Sequence, residues 1–175
     1  MRGETMADWS VTVANQFLNL AEKQNKRLTQ MQLQKLTYIS HGWNLAISGS
    51  PLTNDVPEAW DYGPVYRELR EALRGYGSGP VDRKIRYKDF LRGEFRDDAN
   101  EEVKGAFSEF EQSVIQKVFE IYGDFHAFQL SALTHKEGTP WYKTYQNSGR
   151  NSPISAQEIK DHFSGLAQQG AAANS

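Results

Sequence analysis

The chain has 175 residues with 20 Lys and Arg against 22 Asp and Glu, a formal charge of −2 that excludes a uniform field drawing it onto nucleic acid or an anionic bilayer. Its 38% hydrophobic and 12% aromatic residues suffice for one buried core, while a mean hydropathy of −0.69 lies far below that of a membrane protein. Cysteine is absent, which removes disulfides, thiolate catalysis and sulfur-ligated zinc.

The N-terminal stretch carries Arg2, Glu4, Asp8 and Glu22 and no apolar run fit for a signal-peptide core, so a cytoplasmic protein is expected. Met6 offers a second start, and residues 1–9 are expected to be flexible. Val13, Phe17, Leu18, Leu20 and Ala21 then recur at helical spacing, predicting a first helix from Ser10 to about Gln24. Thr29 and Gln32 form a capping-box pattern that opens a second helix. Leu33, Leu36, Ser40, Trp43 and Ile47 share one of its faces, and Gly49 and Pro51 stop it.

A short strand is predicted around Glu58 to Asp61, and Gly63-Pro64 is read as the first turn of a helix with Val65, Leu69, Ala72 and Leu73 as its stripe. The glycine-rich and basic stretch from Gly75 to Arg96 reads as a loop with a strand pair. Glu101 to Tyr122 is predicted as the longest helix, closed by Gly123 in the left-handed conformation. Asp124 is expected to cap the next helix, with Phe128, Leu130, Leu133 and Thr134 on it and Gly138 and Pro140 breaking it. A capping box at Ser155 and Glu158 opens a last helix through Ile159, Phe163 and Leu166, followed by a small, polar tail. The fold class is therefore mainly α: a compact single-domain helical fold with minor β, as short strand or hairpin elements. One domain at 10–166 lies between the flexible N-terminus and a disordered tail at 167–175.

The four histidines, His41, His126, His135 and His162, share no metal-ligand spacing. Ser131 and His135 stand one helical turn apart, which fits a nucleophile and its base but fits a packing or capping contact better. Asp97-Asp98 and Glu101-Glu102 read as a solvated helix start, and Gly75, Gly77 and Gly79 lack the strand and Lys-Ser/Thr of a phosphate loop. No catalytic set, cofactor or metal is implied. Arg67, Arg70 and Arg74, then Arg83, Lys84, Arg86, Lys88, Arg92 and Arg96, form a local basic run among acids, more suited to an acidic protein than to nucleic acid. Trp60, Tyr62, Tyr66, Tyr76, Trp141, Tyr142 and Tyr145 fall in or beside predicted loops, and Trp, Tyr and Arg are what binding hot spots are built from.

Met31 to Trp43 (MQLQKLTYISHGW), Glu58 to Tyr66 (EAWDYGPVY), Leu130 to Trp141 (LSALTHKEGTPW) and Ile154 to Phe163 (ISAQEIKDHF) together resemble, in order and spacing, the Panacea antitoxin domain. This is a phage-associated family that includes the SocA-like antitoxins, and the resemblance spans roughly Val11 to Phe163. It implies an antitoxin of a bacterial or phage toxin-antitoxin system. Such a protein neutralises a cognate toxin protein, encoded by an adjacent gene, through direct protein-protein binding. A proteolytic adaptor delivering the toxin to an ATP-dependent protease is the alternative, followed by a nucleic-acid binder and a hydrolase using Ser131 and His135. Among the motif residues Leu33, Leu36, Trp43 and Leu133 are expected in the core, with Gly63 and Pro64 setting a turn. Tyr62, Tyr66, Arg67, Arg70, His135 and Trp141 are expected to face the partner. Gly75 to Arg96 lies outside the shared motifs and is where partner choice is expected to reside.

Overall fold

The helix that opens at Thr29 is the axis of the molecule. In the computed structural model, which describes residues 8–91 and 95–173, this helix, α2, spans Gln30–Ser48 after α1 at Ser10–Lys23. Its capping box is complete: the Gln32 amide donates to Thr29 Oγ1 at 3.3 Å, and the Thr29 amide donates to Gln32 Oε1 at 2.8 Å. Gly49 ends it at φ +78°, where only glycine sits without strain. The expected single buried face is too modest, because Gln34, Lys35, Thr37, His41 and Asn44 are buried alongside Leu33, Leu36 and Ser40, whereas Ile47 is exposed. A helix surrounded by other elements is buried on every side.

The chain then makes β1 at Glu58–Trp60 and β2 at Gly63–Val65. Gly63 and Pro64 therefore belong to a strand, not to the start of a helix. Proline is tolerated because β2 is an edge of the three-stranded antiparallel sheet, whose order is β2-β1-β3. The following helix, α3, starts one turn later, at Arg67–Leu73, and runs into a 3-10 turn at Arg74–Tyr76. α4 is a single turn at Tyr87–Phe90, and α5 spans Glu109–Tyr122. The sequence places the start of α5 too early: Ser108 and Glu111 form its capping box, and residues 101–107 are non-helical. At 19 residues α2, not α5 with its 14, is the longest helix among the described residues. Gly123 is right-handed at φ −60°, so no left-handed cap closes α5.

α6 covers Ala127–His135 with His126 as its cap residue, while Asp124 pairs with Lys26 at 2.6 Å instead. Pro140, read as a breaker, occupies the first turn of α7 at Pro140–Ser148, whose Thr139 side chain accepts from the Tyr142 amide. β3 at Ser152–Pro153 completes the sheet against β1, and α8 spans Ala156–Ala173. Helix thus continues through 168–173, where the small polar composition suggests disorder. Residues 1–7, 92–94 (including Arg92) and 174–175 lie outside the described residues. Asp8 is buried and bridged to Thr53, so the expectation of a flexible N-terminus does not hold at that residue.

Two long-range side chains tie α1 to the rest. The Asp55 carboxylate accepts from the Ser10 amide at 2.8 Å and from its hydroxyl at 2.5 Å, satisfying a helix start that lacks a local side-chain cap. Buried Asn15 donates to the carbonyls of Ile85 and Val103, both at 2.9 Å, and accepts from the Ile85 amide at 2.7 Å. The basic insert is thereby stitched into the core, with Val81 and Ile85 buried. It holds α4 and isolated bridges at Pro80 and Arg86, and no paired strands among its described residues. Leu133, expected in the core, is 39% exposed. No helix among the described residues is long and apolar enough to cross a membrane.

α2 and α8 meet at Gly42, where a Cβ would stand 2.2 Å from Cε2 of the Phe163 ring. Gly42→Ala is therefore expected to cost about 1–3 kcal/mol by overpacking. Gly165→Ala, in open space on helical α8, is expected to stabilise by roughly 0.5–1 kcal/mol. Urea unfolding of both variants checks the contrast.

Candidate partner-binding groove

The turn between β1 and β2 is held from three sides. Trp60 pairs with Gly63, so Asp61 and Tyr62 form the loop. Gly63 has φ +113°, and a Cβ there would meet Lys35 Cε at 3.0 Å and Thr134 Oγ1 at 3.2 Å. Three carbonyls on this stretch are each taken by a side chain from a different helix. Trp141 Nε1 on α7 donates to Trp60 O at 2.6 Å, Ser131 Oγ on α6 to Tyr62 O at 2.6 Å, and Lys35 Nζ on α2 to Pro64 O at 2.8 Å. Asp61 accepts from the Tyr145 hydroxyl at 2.8 Å and from Arg150 at 2.5 Å, and these bonds, the tyrosine's first, hold its carboxyl below the usual range. Behind the turn Gln34 clamps the Tyr66 backbone, accepting from its amide at 2.8 Å and donating to its carbonyl at 3.0 Å.

Beside this platform lies a cavity of about 620 Å³ between the start of α2, the hairpin, the start of α6 and the loop at Gly77 and Ser78. Tyr62 and Phe128, 69% and 79% exposed, both line it. Trp60 forms part of the wall, its indole N–H donating to Glu58 Oε2 at 2.8 Å. The Arg70 guanidinium stacks over the Trp60 ring at 4.8 Å, and Arg67 approaches the same ring at 5.8 Å while pairing with Glu58 at 3.1 Å.

The residues expected to face a partner divide. Tyr62, Arg67 and Arg70 gather around the groove. Tyr66 is 0% exposed, its hydroxyl 3.1 Å from Thr53 Oγ1 and its ring edge-on to His41, so it is a core residue. Trp141 is 7% exposed; it belongs to α7, not to a loop, and stacks on Tyr145 at 4.7 Å. His135 packs edge-on against Trp141 at 5.2 Å and does not line the groove. The Ser131 hydroxyl donates to the Tyr62 carbonyl and lies 3.2 Å from His135 Nδ1, so its proton is committed to the fold and not to a base. His41 is buried and pushed down to about 4 by that burial; as a neutral ring it accepts from the Leu52 and Thr53 amides at 3.2 Å each. Among the described residues no cluster of His, Asp and Glu is placed to hold a metal.

Several members of the basic run are paired with acids. Arg83 grips Asp89 at 2.9 Å, Lys84 pairs with Glu22, Arg74 with Glu71 at 3.6 Å, and Arg96 with Asp98 at 2.7 Å. Sequence reasoning missed Lys35, Gln34 and Phe128. Gln34 and Lys35 read as the polar side of an amphipathic helix, and only the unusual run of non-helical segments after α2 hinted at a need for buried donors.

The family described as antitoxin SocA-like, Panacea domain, matches residues 33–142, which run from α2 to the start of α7 and include most of the groove. Antitoxin SocA of Caulobacter vibrioides (strain NA1000 / CB15N) is 30% identical over 155 residues, covering 86% of this chain and 80% of that protein. No solved structure matches.

Lys35 titrates in a useful range. Burial holds its ammonium down to about 7 from a usual 10.5. Between those values the unfolded chain binds a proton that the folded chain releases, so stability rises with pH across that window, and the burial cost is fully present below it. Lys35→Met is expected to flatten this rise, as read from melting temperature against pH; an unchanged slope would contradict the assignment.

Proposed function

Because the chain belongs to the antitoxin SocA-like, Panacea-domain family, we propose that it neutralises a cognate toxin protein, the product of an adjacent gene, by direct contact at the hairpin groove. The observation that carries this reading is the convergence of exposed Tyr62 and Phe128 with the Trp60–Arg70 stack on one rigidly braced cavity. Large aromatic and Arg side chains around a concavity are the usual anchors of protein interfaces. The partner-facing set is Tyr62, Arg67, Arg70, Trp60 and Phe128, with Tyr66 and Trp141 supporting them from below. Domain 10–166 carries this surface as one unit.

The action is binding and not catalysis, in keeping with the commitment of the Ser131 proton to Tyr62. The protease-adaptor alternative drew on a disordered tail, and α8 is helical through Ala173, so occlusion by contact is the reading carried forward. Local ion pairs at Arg83, Lys84 and Arg96 weigh against a phosphate-binding stripe.

Co-expression with the adjacent gene's product is expected to relieve growth arrest and to give a complex that co-elutes on size exclusion. Tyr62→Ala and Arg70→Glu, both at accessible positions, are expected to abolish relief while leaving the fold intact by circular dichroism. Full relief by both variants would remove the site. His135→Gln is expected to relieve arrest fully, and loss of relief with an intact complex would revive the hydrolase.

A further inference from the structure

The groove's chemistry narrows what it can hold. Its lining carries the guanidinium groups of Arg70 and Arg150, with the buried amine of Lys35, against one carboxylate, Asp61. That carboxylate is already engaged by Tyr145 and Arg150. Arg70 lies over the Trp60 ring at 4.8 Å, and its ion-pair partner Glu71 stands 3.7 Å away with both side chains more than 40% exposed, a weak pair. The guanidinium is thus positioned and short of a strong acceptor, the state in which a bidentate carboxylate gains most. Lys35, also in the lining, is fully buried with the Pro64 carbonyl as its hydrogen-bond partner. Charge beside largely apolar walls projects its potential further than charge in open water, which strengthens the pull of Arg70 on an acidic group. The other walls, Tyr62 and Phe128, expose ring surface that a polar segment would leave wet.

Resting on the toxin-contact reading above, we propose that the groove receives an acidic-apolar segment of the partner protein, with an Asp or Glu side chain on Arg70 and a neighbouring apolar side chain against Tyr62 and Phe128. A basic segment would meet the cations without compensation. Nucleic acid fits less well, because strong binding to it draws on many phosphate contacts along a track, and the described lining offers two guanidinium groups, Arg70 and Arg150, the second paired with Asp61. The glycine-rich insert contributes Gly77 and Ser78 to the rim, so its variation would tune which segment is accepted while Arg70, Trp60 and the hairpin supply the general preference.

The test selects random-sequence peptides displayed on phage against the immobilised full chain. Expected is enrichment of peptides with Asp or Glu beside an aromatic or aliphatic residue, bound about tenfold or more weakly by Arg70→Glu and by Phe128→Ala and more weakly as salt is raised. No enrichment, selection of basic or uncharged sequences, affinity unmoved by both substitutions, or displacement of the selected peptides by oligothymidylate would each overturn the proposal. Growth relief in the co-expression assay is scored separately. Acidic-apolar selection without relief would leave the groove chemistry standing and remove the antitoxin reading, whereas relief retained in both variants would remove the groove and leave the antitoxin.

Discussion

The structure depends on a helix whose buried polar side chains do the work that strands do elsewhere. From α2, Gln32 donates to the Phe125 carbonyl at 2.9 Å, Gln34 clamps Tyr66, Lys35 holds Pro64, and His41 accepts from Leu52 and Thr53. These bonds reach backbone groups in turns, in irregular chain and on the edge strand β2, where a buried unmet donor or acceptor would cost about 1–3 kcal/mol. The arrangement lets irregular chain lie against the core. It also concentrates cost, because the buried atoms lacking a hydrogen bond among the described residues, Thr37 Oγ1, Tyr38 Oη, Ser40 Oγ and Asn44 Oδ1, all sit on α2.

The same logic builds the groove. A three-stranded sheet this short has little stability of its own. Its turn is fixed instead by Trp141, Ser131 and Lys35, reaching in from α7, α6 and α2. A turn so braced presents Tyr62 and the Trp60–Arg70 stack with little left to order on binding, and preorganisation of this kind saves affinity that a mobile loop would lose. Residues whose backbones are shared this closely couple, so substitutions at Ser131 or Trp141 would act on the surface through the turn and not through contact with a partner.

Local signals were legible in the sequence and distant ones were not. Capping chemistry marked the starts of α2 and α8, because Thr29 with Gln32 and Ser155 with Glu158 are written within four residues of one another. The mainly helical class with a small β element followed from helical spacing, caps and breakers. What escaped involved residues far apart in the chain: Asp55 capping α1 across 45 positions, Asn15 holding Ile85 and Val103, and Lys35 under Gly63. Without those partners Pro64 reads as a helix start and Pro140 as a break, since a proline's fixed φ suits an edge strand, a first helical turn and a loop alike. Of the groove, Tyr62 and Arg70 could be named from composition, but Tyr66 and Trp141 could not be told from them. An aromatic motif residue looks the same whether it touches a partner or supports the residue that does.

Hydrogen exchange of the chain alone and in the presence of the proposed toxin partner tests the central claim most directly. The account predicts that complex formation slows amide exchange in residues 60–65, at the start of α6 around Phe128 and in the loop at Gly77 and Ser78, with the interior of α2 unchanged. Protection confined to the far faces of α5 and α8, with the hairpin exchanging as freely as before, would contradict it.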